Sequence, residues 1–208
     1  MFQFAEISLT TWSILSGLVI LGVVLYIMTH NRQKWTTRMM ANASLCIALA
    51  FILSYVKLYE MPQGGSVTLA AMAPIFMFAY AYGVAPGLMI GFAYGLLQFV
   101  QGGWFVHPIQ FLLDYPLAFS MLGFAGIARK LPDRWGMIPG ILLGVFLRFL
   151  CAFLTGVFFW GDGAGEQNVL LYSAVYNGTY LIPETAICLA VAMVPQIRRL
   201  ARQLSLGK

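Results

Sequence analysis

The stretch Leu45–Val56 reads LCIALAFILSYV, and near the other end of the chain Ile187–Val194 reads ICLAVAMV. Both runs are apolar almost without interruption, whereas the strands of a membrane β-barrel alternate apolar and polar residues over about ten positions. Within hydrocarbon, only helices and closed barrels satisfy their backbone hydrogen bonds. The two runs therefore predict an all-α fold whose helices cross a membrane.

The composition of the whole chain agrees with a surface that faces lipid. Of 208 residues, 61% are hydrophobic and only 9% are charged, and the mean hydropathy is +0.82. A soluble domain needs roughly 25% charged residues to cover its surface. The net charge of +5 does not indicate nucleic-acid binding, because the basic residues lie in short clusters between apolar runs. We therefore predict a polytopic helical membrane protein.

Seven apolar segments are predicted to be membrane spans. Gly-rich stretches and short charged clusters separate them. We place the spans at about residues 8–28, 38–56, 67–83, 86–101, 108–128, 137–159 and 172–195, with boundaries defined to roughly 2–4 residues.

Basic residues set the predicted orientation. Ten of the twelve Lys and Arg residues lie between spans one and two, between spans five and six, or after span seven: Arg32, Lys34, Arg38, Arg129, Lys130, Arg134, Arg198, Arg199, Arg202 and Lys208. If the chain crosses the membrane seven times, all ten of these basic residues lie on the same side of the membrane. The positive-inside rule makes that side cytoplasmic. We therefore expect the N-terminus outside the cell and the C-terminus in the cytoplasm.

The first span is predicted to be a retained helix. Residues 1–8 carry no positive charge and one Glu, and no small-residue cleavage site follows the span, so it does not resemble a signal peptide. We divide the chain into residues 1–34, an extra N-terminal transmembrane helix with a basic linker, and residues 35–208, a six-helix membrane core.

Apart from the cytoplasmic basic residues and the charges of the outer loops, four charged residues remain, inside spans or at their ends: Lys57, Asp114, Arg148 and Glu184. A charge at the membrane centre costs a few kcal/mol, so such residues usually face the interior of the bundle or a wet cavity. Arg148 and Glu184 are candidates for a mutual ion pair, with a ligand-binding role as the alternative. Lys57 is expected to reach the interface, and Asp114 is expected about two turns deep in the outer leaflet.

Aromatic and amide side chains share the predicted depth of Asp114. The spans contribute Tyr115, Trp160, Tyr172 and Asn177, and the outer loops contribute Tyr59, Gln63, Trp104 and His107. An interfacial aromatic belt explains the Trp and Tyr residues, but not a carboxylate and an amide among them. Aromatic faces attract cations, and Asp and Asn fix a ligand's orientation. These side chains together favour a flat, cationic, nitrogen-rich heterocycle as the ligand.

No sequence motif indicates catalysis, a metal or a cofactor. Cys46, Cys151 and Cys188 lie in apolar runs without CxxC spacing, as packing residues do. The two histidines, His30 and His107, belong to no HExxH motif, and no GxxxxGK[ST] loop is present, so the chain is not expected to be an enzyme or to hydrolyse ATP.

Ordered motifs lie across the six-span core. They are Met61–Leu69 (MPQGGSVTL), Tyr94–Gln98 (YGLLQ), His107–Phe119 (HPIQFLLDYPLAF), Gly156–Gly161 (GVFFWG), the pair Tyr172 and Ser173, and Tyr176–Gly178 (YNG). Together they resemble the thiamine-specific S-components, the substrate-binding subunits of energy-coupling-factor (ECF) vitamin transporters. The resemblance covers about residues 38–195 and implies the six-helix S-component fold, to which the first span adds one helix.

The resemblance also implies a thiamine site near the outer face of a bacterial cell membrane. The positions that match the family's ligand contacts are Asp114, Tyr115, Arg148, Gly156, Trp160, Tyr172 and Asn177. Some members of the family have Glu at the position of Asp114 and His at the position of Ala152. The ligand contacts of these two positions are therefore expected to differ in this chain. The loop around Gln63 resembles the family's lid, with Tyr59 and His107 as further candidates.

The partners that the resemblance implies are an ECF transmembrane coupling protein and two ATPase subunits. The family docks on the coupling protein through a small-xxx-small face of its first core helix, which Ser44 and Ala48 match; packing within the chain is the alternative. The expected function is thiamine capture followed by ATP-driven uptake. The alternatives are a stand-alone proton-coupled thiamine transporter, an S-component for a related vitamin, a lipid-modifying membrane enzyme and a structural protein.

Overall fold

The computed structural model describes residues 9–30, 34–62, 64–104, 106–131 and 136–206, and these residues form eight helices of ten residues or more, a short 3₁₀-helix (Gly161–Ala164) and one short hairpin. The helices are α1 (Leu9–His30), α2 (Thr37–Ser54), α3 (Ala73–Tyr82), α4 (Val84–Val100), α5 (Pro108–Lys130), α6 (Ile138–Phe159), α7 (Val169–Met193) and α8 (Pro195–Leu206). Strands β1 (Lys57–Glu60) and β2 (Ser66–Thr68) pair antiparallel between α2 and α3. The predicted helical membrane fold is confirmed, and the hairpin is an addition to it.

Each predicted span falls on a helix, although the helices differ in length. Within the described residues, α2, α5 and α6 are long and apolar enough to cross a bilayer on their own. Helix α7 is long and apolar enough only when it is taken together with α8, which follows it after a bend of 78°. Helices α1, α3 and α4 contain shorter apolar stretches. The chain is a multi-pass membrane protein. The count of seven spans and the division at residues 34 and 35 stay predictions, and residues 31–33 lie outside the described part.

The predicted third span, residues 67–83, is wrong at its start. Val67 and Thr68 belong to β2, and α3 begins at Ala73. Between them Ala70 has a φ of 57°, a left-handed conformation that interrupts a right-handed helix. Hydropathy alone does not distinguish a short buried strand from a buried helix, so the apolar run was merged with the helix that follows it.

Helix α5 changes its winding along its length. A π-turn occupies Leu113–Leu117, and the last part, Met121–Lys130, is wound as a 3₁₀-helix. Pro116 lacks the N–H that an α-turn requires, and its ring obstructs regular α-winding. The Ala118 N–H instead donates to the Leu113 carbonyl, five residues earlier. Such π-turns are frequent at functional sites, and this one carries two of the predicted binding residues.

A row of glycines brings α4 into backbone contact with α5. Gly87, Gly91 and Gly95 occur every fourth residue of α4 and share one face. An added Cβ on Gly91 would lie 2.9 Å from the Ser120 Cα, and one on Gly95 would lie 2.8 Å from the Tyr115 carbonyl carbon. Small residues at this spacing let membrane helices approach closely. The row therefore lets α4 pack directly on the backbone of α5, with Gly95 beside the π-turn.

Helix α1 packs on the other side of the π-turn. Val24, which is 1% exposed, clusters with Leu113, Leu117 and Cys151. An added Cβ on Gly17 would lie 3.2 Å from a methyl carbon of Ile109. Helix α1 thus contacts the segment of α5 that presents Asp114.

Candidate functional site

A cavity of about 690 Å³ lies between the β1–β2 hairpin and helices α4 to α7. This volume falls within the range of small-molecule sites, roughly 300–1,000 Å³. Its polar and aromatic lining residues are Glu60, Ser66, Gln98, Trp104, Gln110, Asp114, Tyr115, Phe119, Arg148, Thr155, Trp160, Tyr172, Ser173, Tyr176, Asn177 and Tyr180.

The cavity brings together seven residues that lie up to 63 positions apart in the chain (Asp114 to Asn177). They are the predicted substrate-binding residues Asp114, Tyr115, Arg148, Gly156, Trp160, Tyr172 and Asn177. Their contact with a ligand stays a prediction. Of the three predicted lid residues, the two that the structure describes do not line the cavity. Tyr59 is exposed on β1, His107 accepts the Ile109 N–H (3.1 Å) at the start of α5, and Gln63 lies outside the described residues.

The Asp114 carboxylate is oriented by a buried amide. Gln110 is 2% exposed, and its Nε2 donates to Asp114 Oδ2 at 2.7 Å. The Gln110 Oε1 accepts the Val106 N–H at 3.2 Å, which ties the amide to the loop before α5. Sequence reasoning missed Gln110, although its spacing of four residues from Asp114 places both on one helix face.

An aromatic wall stands beside this carboxylate. The rings of Trp104 and Trp160 are tilted against each other with centroids 4.8 Å apart. The Trp104 backbone N–H donates to the Tyr115 hydroxyl at 2.8 Å, and the Tyr115 ring contacts Phe99 edge-on at 5.2 Å. The loop after α4, the π-turn of α5 and the end of α6 are therefore joined through aromatic side chains.

Arg148 and Glu184 do not form the ion pair considered above. The Arg148 guanidinium lies 4.0 Å from the centre of the Phe119 ring, and its Nη1 is 2.7 Å from the Met72 sulfur. The Glu184 carboxylate instead accepts hydrogen bonds from the backbone N–H and the hydroxyl of Thr68. Both residues lie in the middle of long helices, but they face different neighbours, so Arg148 lines the cavity and Glu184 does not.

The Asn177 amide is held in place by α6 and α7. Its Nδ2 donates to the Ser173 carbonyl at 2.9 Å and to the Ala152 carbonyl at 3.3 Å. Its Oδ1 accepts the Tyr180 hydroxyl at 2.8 Å. Ser173 and Tyr180 were not predicted as site residues, although their spacing from Asn177 puts all three on one face of α7.

Gly156 allows the close approach of α6 and α7 at this amide. An added Cβ on Gly156 would collide with the Ser173 hydroxyl, lie 2.9 Å from the Ser173 Cβ and lie 3.4 Å from the Asn177 Nδ2. Gly156 is thus required by helix packing, whether or not a ligand touches it.

We expect Gly156→Ala to destabilise the protein by about 1–3 kcal/mol, because overpacking forces the two helices apart. Thermal unfolding in detergent measures this change. Adding Ser173→Gly to the same chain removes the colliding side chain and should restore most of the stability. Gly22→Ala, where an added Cβ meets nothing within 4 Å, is the control. Equal unfolding temperatures for Gly156→Ala and Gly22→Ala would contradict the packing role.

Sequence comparison gives the family of this chain. The sequence model of the thiamine transporter protein family matches residues 40–203. The thiamine transporter ThiT of Bacillus subtilis is 35% identical over 176 residues, which are 77% of this chain and 91% of that protein. The ThiT of Lacticaseibacillus paracasei is 29% identical over 139 residues, which are 59% of this chain and 69% of that one.

A solved structure supports the fold independently. The structure of ThiT from Listeria monocytogenes superposes with a TM-score of 0.67 at 22% identity, covering 80% of this chain and 96% of the other. The family model begins after α1, so this helix lies outside the matched region. The resemblance drawn from the sequence motifs is confirmed, and this chain belongs to the thiamine transporter protein family.

Proposed function

We propose that the chain binds thiamine in the cavity beside α5 and is the substrate-binding S-component of a thiamine uptake system. The observation that carries this proposal is the convergence of the seven predicted residues on one cavity. Thiamine contains a thiazolium cation and an aminopyrimidine ring. The Asp114 carboxylate suits the positive charge, aromatic faces suit both rings, and the fixed Asn177 amide suits directional hydrogen bonds.

We also propose that the cavity opens to the outside of a bacterial cell. The cavity residues of α5 lie between Gln110 and Phe119, in the first half of the helix, whereas Arg129 and Lys130 lie in its last turn. Arg198 approaches Gly136 at this same basic end, 3.6 Å from the position of an added Cβ. The positive-inside rule then makes the basic end cytoplasmic, with the N-terminus outside and the C-terminus inside.

The exposed face of α2 supports docking to a partner. Ser44 and Ala48 are exposed, while the buried side of the helix holds Met39, Ala43 and Ala50. The Ser44 hydroxyl donates to the Met40 carbonyl at 3.1 Å, so it needs no partner from outside the helix in lipid. We propose this face as the docking site for an ECF transmembrane coupling protein, which two ATPase subunits drive.

A titration with a panel of B vitamins tests the ligand. We expect nanomolar to micromolar thiamine to quench the Trp fluorescence of the purified chain, because Trp104 and Trp160 line the cavity. Replacing Trp160 with Phe should remove most of the signal, whereas replacing Trp35, which packs against Phe78, should preserve it. A response to a different vitamin and none to thiamine would overturn the ligand assignment.

A further inference from the structure

Gln98 is a cavity residue to which the proposed function assigns no role. It lies in the last turn of α4, at the end of the motif Tyr94–Gln98, and it lines the cavity. Its side chain is half-buried, and a polar amide in a membrane helix is costly unless it finds hydrogen-bond partners. The partners of this amide therefore indicate what it does.

The amide nitrogen of Gln98 is bonded to protein groups. Its Nε2 donates to the Ser54 hydroxyl at 3.0 Å and to Gln101 Oε1 at 2.9 Å. Ser54 is the last residue of α2 and is 3% exposed, and its hydroxyl lies 2.8 Å from the same Gln101 oxygen. A primary amide has two N–H donors, so the protein uses both donors of Gln98. This network fixes the amide between α2 and the end of α4.

The amide oxygen of Gln98 remains available to a ligand. None of the residues that the structure describes donates a hydrogen bond to this Oε1. In the same part of the chain, no buried side-chain oxygen or nitrogen lacks a partner, so the Gln98 oxygen is accessible and not enclosed. The open space that Gln98 lines is the cavity. The cavity thus contains a neutral hydrogen-bond acceptor whose orientation the protein fixes.

Two other acceptors of the cavity already have protein donors. Asn177 Oδ1 accepts the Tyr180 hydroxyl at 2.8 Å, and Asp114 Oδ2 accepts the Gln110 amide at 2.7 Å. The exocyclic amino group of thiamine is a donor only, because conjugation with the pyrimidine ring delocalises its lone pair. The hydroxyl of thiamine, by contrast, both donates and accepts, and it rotates to suit its partners. A fixed neutral acceptor such as Gln98 Oε1 therefore matches the amino group best.

We propose that Gln98 is a specificity-determining residue whose Oε1 accepts a hydrogen bond from the amino group of the ligand's aminopyrimidine ring. Ser54 is a positioning residue, because it acts on the ligand only through Gln98. A site that is built to hydrogen-bond an N–H group rejects an analogue that lacks it, because the polar group of the site is then left unpaired. This inference rests on the proposed function, because it concerns a ligand contact in the same cavity.

Titration with thiamine and with oxythiamine, in which an oxo group replaces the amino group, tests this contact. We expect the wild-type chain to bind oxythiamine at least about tenfold more weakly. Gln98→Met has a similar volume but no amide oxygen, and it should lower the preference for thiamine about tenfold. Gln203→Met, at an exposed position of α8, is the matched control and should keep the wild-type preference. A purely structural effect of Gln98→Met would weaken both ligands equally and leave the ratio of affinities unchanged.

Ser54→Ala tests the positioning of the amide. It should lower the same preference by a smaller factor, about two- to fivefold, because Gln98 keeps its hydrogen bond to Gln101; an unchanged preference would contradict the positioning role. An unchanged preference in Gln98→Met, or equal affinities of the wild-type chain for the two ligands, would overturn the contact and leave the thiamine assignment intact. If the wild-type chain does not bind thiamine, the proposed function fails and this contact fails with it.

Discussion

Replacing Asp114 with Asn is expected to weaken thiamine binding roughly tenfold to hundredfold, as the loss of a buried charged partner does. Asn has the same shape, and its carbonyl oxygen can still accept the Gln110 amide, which now lies 2.7 Å from the carboxylate. The substitution therefore removes the charge with little change in packing. Titration of the purified variant measures the affinity directly.

An exposed carboxylate provides the control for this variant. Asp162 lies in the short 3₁₀-helix of Gly161–Ala164, is exposed, and does not line the cavity. Asp162→Asn makes the same change in net charge and should leave the affinity unchanged. If Asp114→Asn binds thiamine as tightly as Asp162→Asn does, Asp114 is not a binding residue.

Replacing Ala48 with Trp is expected to abolish thiamine uptake by cells and to leave binding by the purified chain intact. The exposed position of Ala48 on α2 predicts that the indole projects away from the bundle. A bulky side chain there prevents the close approach of a partner helix that small residues permit. Uptake of labelled thiamine and fluorescence titration of the same variant separate the two effects.

Ile182→Trp is the control for bulk on a lipid-facing surface, because Ile182 on α7 is 71% exposed. It should preserve both uptake and binding. Loss of binding in Ala48→Trp would mean that this face packs within the chain. Uptake that persists in cells without the ATPase subunits, and that collapses with an uncoupler, would support the stand-alone proton-coupled transporter instead.

The candidate binding residues could be predicted from the sequence because the motifs that carry them are local. Asp114 and Tyr115 are adjacent, and Gly156 and Trp160 lie one turn apart on one helix. The structure adds what holds them in position. Pro116 imposes a π-turn within α5, and Gln110 orients the carboxylate. Pro116 disrupts regular α-winding, but whether the helix responds with a kink or with a π-turn depends on how it packs on its neighbours, which hydropathy does not report.

Long-range contacts account for the predictions that were wrong. Arg148 and Glu184 both lie in the middle of long helices, and the sequence places them at similar depth, but it does not tell which way each side chain faces. The structure directs Arg148 to Phe119 and Glu184 to Thr68. The same Thr68 contact holds β2 against α7, where the sequence predicts the start of a membrane helix.

The sequence by itself determined that the chain is a helical membrane protein of the thiamine transporter family, because apolar runs, basic clusters and short motifs are properties of single segments. Only the tertiary structure decided that the segment before α3 is a β-hairpin that lines the cavity, that Gly156 is required by helix packing, and that Glu184 accepts hydrogen bonds from this hairpin. Each of these depends on residues far apart in the chain, as with Thr68 and Glu184, which are 116 positions apart. Their contact is set by which helices are neighbours in the folded bundle.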